Sequence, residues 1–195
     1  MKKLFFIATL LLAGVLGAQA QFMDKRARFG VTLDLNVAKL SGEDLTNKLG
    51  AAIGFKGNYL FTNNVFMNYG LKWSMKGFKI DGLKDFKGTA HYFDIPIHVG
   101  LRYPFGYDGS TAVYAEFGPY VGVGLAGTFE YGNGRDGDYF DDDASRFDFG
   151  LGFGVGFTYK AFDLHLGYDF GLVNVIDASD DPKNRVLYVG LGFMF

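Results

Sequence analysis

The sequence predicts an all-β fold, an eight-stranded antiparallel up-and-down transmembrane β-barrel. Three observations predict it: strict apolar–polar alternation in eight segments, an export signal ahead of them, and connections that alternate between short and long. In 28–37 the odd positions are Phe29, Val31, Leu33, Leu35 and Val37, and Arg28, Gly30, Thr32, Asp34 and Asn36 lie between them. In 92–103 the odd set is Phe93, Ile95, Ile97, Val99, Leu101 and Tyr103, against Tyr92, Asp94, Pro96, His98, Gly100 and Arg102. Side chains on a strand alternate between its two faces, so each segment has one uncharged apolar face and one polar face. Repeated eight times behind a secretory signal, this is the dyad pattern of a barrel that meets lipid outside and water or polar groups inside.

The export signal occupies the first 20 residues. Met1-Lys2-Lys3 supplies the positive start, Leu4 to Leu16 the apolar run, and Ala18-Gln19-Ala20 a small-residue cleavage site before Gln21. The run is too short for a spanning helix, which needs about 20 apolar residues. The domain division is therefore 1–20 signal peptide and 21–195 barrel. No cysteine follows the cleavage site, which argues against a lipid anchor, and the chain has none anywhere, so disulfides and thiolate chemistry are excluded.

The alternation places strands near 27–38, 49–61, 65–79, 90–104, 111–129, 146–160, 162–173 and 185–195. The connections at 62–64, 105–110 and 160–161 are tight. Those at 39–48, 80–89, 130–145 and 174–184 are longer and charged. Short turns on the periplasmic side and long loops outside are the asymmetry of an outer-membrane barrel. An even strand number puts both termini on the periplasmic side. In lipid an unpaired sheet edge costs several kcal/mol per backbone group, so the first strand must close onto the eighth.

A soluble barrel of the lipocalin kind would show the same alternation with its faces reversed. The polar face is too poor in charge and too rich in glycine for a solvated surface. In 147–159 it consists of Asp148, Gly150, Gly152, Gly154, Gly156 and Thr158. An eight-stranded interior would also be overfilled by the opposing Phe147, Phe149, Leu151, Phe153, Val155, Phe157 and Tyr159. The chain ends at Phe195 after Leu187, Val189, Leu191 and Phe193, an aromatic terminal strand of the sort the barrel insertion machinery reads. Aromatics fall where interfacial girdles belong: Tyr59, Phe61, Tyr103, Tyr159, Phe162 and Phe195 at the short-turn ends, Trp73, Phe93, Phe129 and Phe147 towards the long loops.

Several stretches resemble the small outer-membrane β-barrel domain family, the porin-family or PorT-like barrels of Gram-negative bacteria. These are Tyr92-Phe93-Asp94-Ile95-Pro96, Glu116-Phe117-Gly118-Pro119-Tyr120, the glycine alternation from Phe149 to Tyr159, and the closing Tyr188 to Phe195. The resemblance spans the mature chain. It implies fold and location, in the cell outer membrane, and no catalytic residue.

The expected lumen carries Arg28, Lys56, Lys72, Lys76 and Arg102 against Asp34, Asp94, Glu116, Asp148, Asp163 and Asp169, with His98 and His165 nearby. Buried charges are tolerated when paired and hydrogen-bonded, so a balanced set reads as a structural plug. A hairpin centred near residue 85 would set Lys76 opposite Asp94 and Lys72 opposite His98.

Beyond the signal, 17 basic residues face 21 acidic ones with no basic run, so nucleic-acid binding has no electrostatic footprint. The 130–145 loop carries Glu130, Asp136, Asp138, Asp141, Asp142 and Asp143. Its spacing does not fit an EF-hand, and it reads as a solvated surface loop facing lipopolysaccharide rather than a calcium site. Catalysis at the outer rim would need a histidine with a nucleophile in reach. Only His91 lies there, with Asp85 in its loop and Ser74 on the neighbouring strand, and no Gly-x-Ser-x-Gly elbow occurs. No cofactor, metal or catalytic residue is therefore expected. The expected role is structural or interactive, with four surface loops. The expected partners are outer-membrane lipid, including lipopolysaccharide, and the insertion machinery at Phe195. Two alternatives stay open: a narrow pore for ions or small solutes, and an accessory component of an envelope secretion or assembly complex.

Overall fold

Alternation along the chain becomes a closed wall. In the computed structural model ten strands follow in chain order: β1 (Ala27–Leu40), β2 (Leu45–Thr46), β3 (Lys48–Leu60), β4 (Val65–Ile80), β5 (Lys87–Phe105), β6 (Thr111–Tyr131), β7 (Arg135–Asp138), β8 (Phe147–Tyr159), β9 (Phe162–Asn174) and β10 (Lys183–Met194). The structure describes residues 26–41, 45–80, 86–106, 110–131, 135–140, 144–175 and 182–195. The expected signal peptide, Asp85 and Asp141, Asp142 and Asp143 lie outside the described residues.

Eight of the strands make the wall. Each is antiparallel to its sequence neighbour, and β10 returns to β1, with Val31 opposite Phe193 and Val37 opposite Leu187. The other two are short extensions beyond the wall: β2 adds to the end of β4, and β7 folds back on the end of β6. They stand inside two of the connections that the sequence marks as long, 39–48 and 130–145.

The register fixes the dimensions of the cylinder. From Val37 the pairings lead through Leu187, Tyr168, Phe153, Phe117, Val99, Met67 and Tyr59 to Ala27. One circuit therefore returns to β1 ten residues from its start. With a rise of about 3.3 Å per residue and strands about 4.7 Å apart, eight strands with that stagger tilt by about 41° and enclose a radius of about 8 Å. Such an interior holds one layer of side chains from each wall and little more.

The faces are inside out relative to a soluble protein. Leu35 and Leu191 on the outer face are 67% and 63% exposed, whereas Asp148 and Lys76 on the inner face are 0% and 2% exposed. The lipocalin-type alternative would require the reverse. Glycines on the inner face make room for rings on the adjacent strand. Gly156 opposes Tyr114, Gly150 opposes Tyr120 and Gly167 opposes Tyr188. A Cβ on Gly156 would sit 2.3 Å from the Tyr114 ring, and one on Gly167 would sit 2.3 Å from that of Tyr188. The glycine run of β8 is thus the complement of a tyrosine-filled lumen.

A bulge near the long-loop end of β6 reverses the faces of the residues beyond it. The pairing of β6 with β5 shifts between Gly124 and Ala126, which oppose Tyr92 and His91. One extra residue inverts the alternation, so Gly127 and Phe129 turn inward. Phe129, expected in the outer aromatic girdle, instead stacks on Tyr139 with ring centroids 4.8 Å apart. Tyr103, Tyr159 and Phe162 do lie exposed on the outer face near the short turns, and Phe93 and Phe147 near the other end.

Candidate functional site

The polar lumen is the place where side chains with chemistry converge, and it is built in layers. Nearest the short turns, the Lys56 ammonium donates to Asp163 Oδ2 at 2.8 Å, and the Tyr114 hydroxyl donates to Asp163 Oδ1 at 2.8 Å. Arg28 donates to the Lys160 carbonyl at 2.7 Å, and with Arg102 it lines a void of about 50 Å³ at this mouth.

At mid-depth His165 Nε2 lies 2.9 Å from Asp34 Oδ1, and His98 Nδ1 lies 3.4 Å from Glu116 Oε1. Asn68 donates to the other Glu116 oxygen. Lys72 reaches Asp169 at 3.6 Å, with the Tyr188 ring 4.3 Å from its ammonium. These groups border a second void of about 60 Å³. Lys56 and Asn68 line both voids and stand between them. Each void has room for a few waters and no more.

In the half nearer the long loops Lys76 bridges two buried carboxylates, Asp94 at 2.8 Å and Asp148 at 2.9 Å. Asn184 donates to Asp148 at 2.8 Å, and the Tyr120 hydroxyl donates to it at 3.3 Å. Two ring faces flank the same ammonium, Tyr92 at 4.7 Å and Tyr120 at 5.0 Å. Asn36 donates to Ser74 Oγ at 3.2 Å beside them. A cation desolvated this fully is held by two anions and two ring faces at once.

An aromatic cluster packs across the long-loop end of the lumen. Tyr139 and Phe140, immediately after β7, are buried with Leu40, Phe78, Ala90, Tyr92 and Val175. Three glycines shape their seat. A Cβ on Gly124 would sit 2.3 Å from the Phe140 ring, one on Gly127 2.5 Å from Tyr139 Cβ, and one on Gly88 3.0 Å from the Tyr139 ring. The Arg146 guanidinium lies 4.8 Å from the Phe140 ring and donates to the Leu125 carbonyl at 3.0 Å, which fastens the cap to β6. Tyr92 joins cap and network, its ring meeting Phe140 edge to face at 5.7 Å and Lys76 face-on.

The eleven lumen charges named from the sequence thus fall into two sets. Nine enter ion pairs or carboxylate–histidine contacts across the interior, and Arg28 and Arg102 sit at the short-turn mouth. The ion pair expected between Lys76 and Asp94 forms, but the cross-strand register differs from that of a hairpin centred near residue 85. Lys72, not Lys76, is registered against Asp94; Lys76 faces Ala90, and His98 faces Asn68. Sequence reasoning passed over the tyrosines that complete the network, although Tyr92, Tyr114, Tyr120 and Tyr188 all lie on the polar set. It also passed over Tyr139-Phe140, two rings within an otherwise acidic stretch.

Among the described residues the rim histidine meets no nucleophile. His91 stacks on Trp73 at 5.3 Å, with its cross-strand neighbours Met75 and Ala126. Ser74 points into the lumen instead. Among the described residues no cluster of three histidine or carboxylate groups could hold a metal ion.

The crystal structure of the outer membrane protein OprG from Pseudomonas aeruginosa is similar to this chain, with 15% identity and a TM-score of 0.51 over 87% of this chain and 94% of that one. Neisserial surface protein A is similar with 17% identity and a TM-score of 0.50 over 86% and 97%. At these identities the likeness is one of fold. No curated protein matches the chain. The family profile described as the outer membrane protein β-barrel domain matches residues 8–195. With a closed eight-stranded wall, apolar outside and charged within, the chain belongs to the outer membrane protein β-barrel domain family.

Proposed function

We propose that this protein is a non-enzymatic barrel of structural or interaction type, closed to solutes, whose rigid cylinder presents its long loops at the cell surface. The observation that carries this reading is the double barrier in the outer half, Lys76 clamped between Asp94 and Asp148 beneath the Tyr139–Phe140 cap. Moving a solute past it would require separating a desolvated ion triad and unseating two rings. Such a layered arrangement suits a load-bearing plug better than a conduction path.

On this reading the first 20 residues are removed on export, both termini lie in the periplasm, and the wall meets outer-membrane lipid. Phe195, whose backbone pairs with Phe29, ends the strand that the insertion machinery engages. Intact mass of the membrane-extracted protein should place its N-terminus at Gln21.

Planar-bilayer recording tests the closed state. A silent trace over a wide voltage range supports the plug; steady unitary openings favour a narrow pore and overturn it. Pull-down from native membranes addresses the third reading, since a stoichiometric envelope partner would mark an accessory subunit of a secretion or assembly complex.

A further inference from the structure

Two carboxylates of the lumen compete for one cation. Lys72 is registered directly against Asp94 on the neighbouring strand, yet its ammonium lies 3.6 Å from Asp169 on β9. Among the described residues this is the longest ammonium–carboxylate contact of the interior. Lys56 holds Asp163 at 2.8 Å, and Lys76 holds Asp94 at 2.8 Å and Asp148 at 2.9 Å. A separation of 3.6 Å is beyond hydrogen-bond reach, and the Tyr188 ring 4.3 Å away also steadies the ammonium.

The groups around Lys72 are left incomplete by this arrangement. Asp94 Oδ1 takes Lys76, but Asp94 Oδ2 is buried with no hydrogen-bond partner among the described residues. His98 Nε2 is buried and unpartnered in the same way. It meets Asp169 over a glycine: a Cβ on Gly152 would sit 2.6 Å from His98 Nε2 and 2.9 Å from Asp169 Oδ1. Unpaired polar atoms in a dry interior are costly, and one rotation of Lys72 serves both of these. Directly opposed residues have Cβ atoms only about 4.5–5.5 Å apart, so the lysine chain reaches Asp94 easily. Its charge already acts on Asp94 from its present position.

We propose that Lys72 is a two-position cation of the lumen. It alternates between Asp169 and Asp94 Oδ2, and each time it leaves, Asp169 closes on His98 Nε2. The void of about 60 Å³ lined by Lys72, His98, Asp169 and Tyr188 supplies the room. The move carries one positive charge from mid-depth to the ion triad and needs no change in the wall. Lys72 thereby couples two layers that the resting contacts keep separate. The inference goes beyond the plug and holds in either orientation of the barrel.

Stability measurements on the full chain folded into phosphatidylcholine vesicles test it. Urea unfolding of K72M, D94N and K72M/D94N gives the coupling between Lys72 and Asp94. The same set is then measured with D169N added to every member. A lysine fixed on Asp169 has equal coupling to Asp94 in both backgrounds. A two-position lysine should show coupling about tenfold larger, as a folded-to-unfolded ratio, once Asp169 is gone. D169N alone should also destabilise less than K72M, because Lys72 keeps a partner.

Crystals supply the second readout. In D169N the Lys72 ammonium should lie within hydrogen-bond distance of Asp94 Oδ2, whereas in D94N it should stay beside Asp169. Equal coupling in the two backgrounds would overturn the proposal, as would a D169N structure with Lys72 still directed at position 169. If K72M does not fold, the D169N and D94N structures decide the matter, since both keep the lysine. Bilayer recordings bear on the plug alone, so openings would sink that reading and leave the two positions of Lys72 standing.

Discussion

Lys76 bonds Asp94 although the residue registered against Asp94 is Lys72. The two lysines share a face two periods of the alternation apart, and in a cylinder of about 8 Å radius their side chains lean along tilted strands. Lys76 leans towards the centre to take both Asp94 and Asp148, while Lys72 crosses to Asp169. Contacts in the lumen are thus set by tilt and curvature as much as by the ladder.

Replacing Lys76 by methionine leaves Asp94 and Asp148 buried without their cation. The loss should be about 3–5 kcal/mol, the usual cost of stripping one partner from a buried ion pair. Urea unfolding of the protein in lipid vesicles measures it. The triple change K76M/D94N/D148N should recover much of the loss, because no lone charge then remains.

The cap and the ion triad act in series, so neither alone should open the barrel. Gly124→Val puts a side chain where Phe140 sits and should drive the ring out. Chymotrypsin should then cleave after Phe140 in the folded protein, while bilayer recordings stay silent. Combining Gly124→Val with K76M/D94N/D148N should give measurable conductance. Conductance from Gly124→Val alone would mean that the lower layers do not seal.

Lys160 takes φ 54° in the two-residue turn between β8 and β9. A side chain there costs about 1 kcal/mol that glycine avoids. Lys160→Gly should therefore stabilise the barrel by up to about 1 kcal/mol, and Lys160→Val should destabilise it by a similar amount or more. The Arg28 contact to the Lys160 carbonyl survives both changes, since it uses only backbone on that side.

Ile97 is 47% exposed on the outer face, and its neighbour His98 is 4% exposed within. Ile97→Arg near the membrane midplane should cost about 2–4 kcal/mol of folding in lipid, and His98→Gln much less. A lipid-phase quencher should strongly quench a fluorophore at position 97 and weakly quench one at 98. Equal quenching would contradict the outward assignment.

Period-two alternation made the wall legible before any coordinates. The strand expected at 111–129 is Thr111–Tyr131, and that at 162–173 is Phe162–Asn174. The same period hid the register of the β4–β5 hairpin. A slip of four residues keeps every side chain on its own face, so the pattern cannot distinguish Lys72 from Lys76 as the partner of Asp94. Phe129 was misplaced for the opposite reason: a one-residue bulge reverses the faces, and nothing in the Gly124-Leu125-Ala126 stretch announces it. Tyr139-Phe140 escaped because acidity of the surrounding loop outweighed two rings whose burial depends on glycines on β5 and β6, distant in sequence.

The seam between β1 and β10 joins Gly30 to Met194, nearly the two ends of the folded chain. No hydrogen bond of that seam can form until the last residues have been delivered, so assembly has the slow kinetics of long-range pairing. Until then β1 carries an open edge, and the apolar outer faces have no lipid beside them if insertion waits for closure. A chain missing only β10 would keep seven strands and expose two edges. This barrel therefore has no stable half-built form, and the cell must shelter the whole polypeptide from aggregation between export and the moment its final strand arrives.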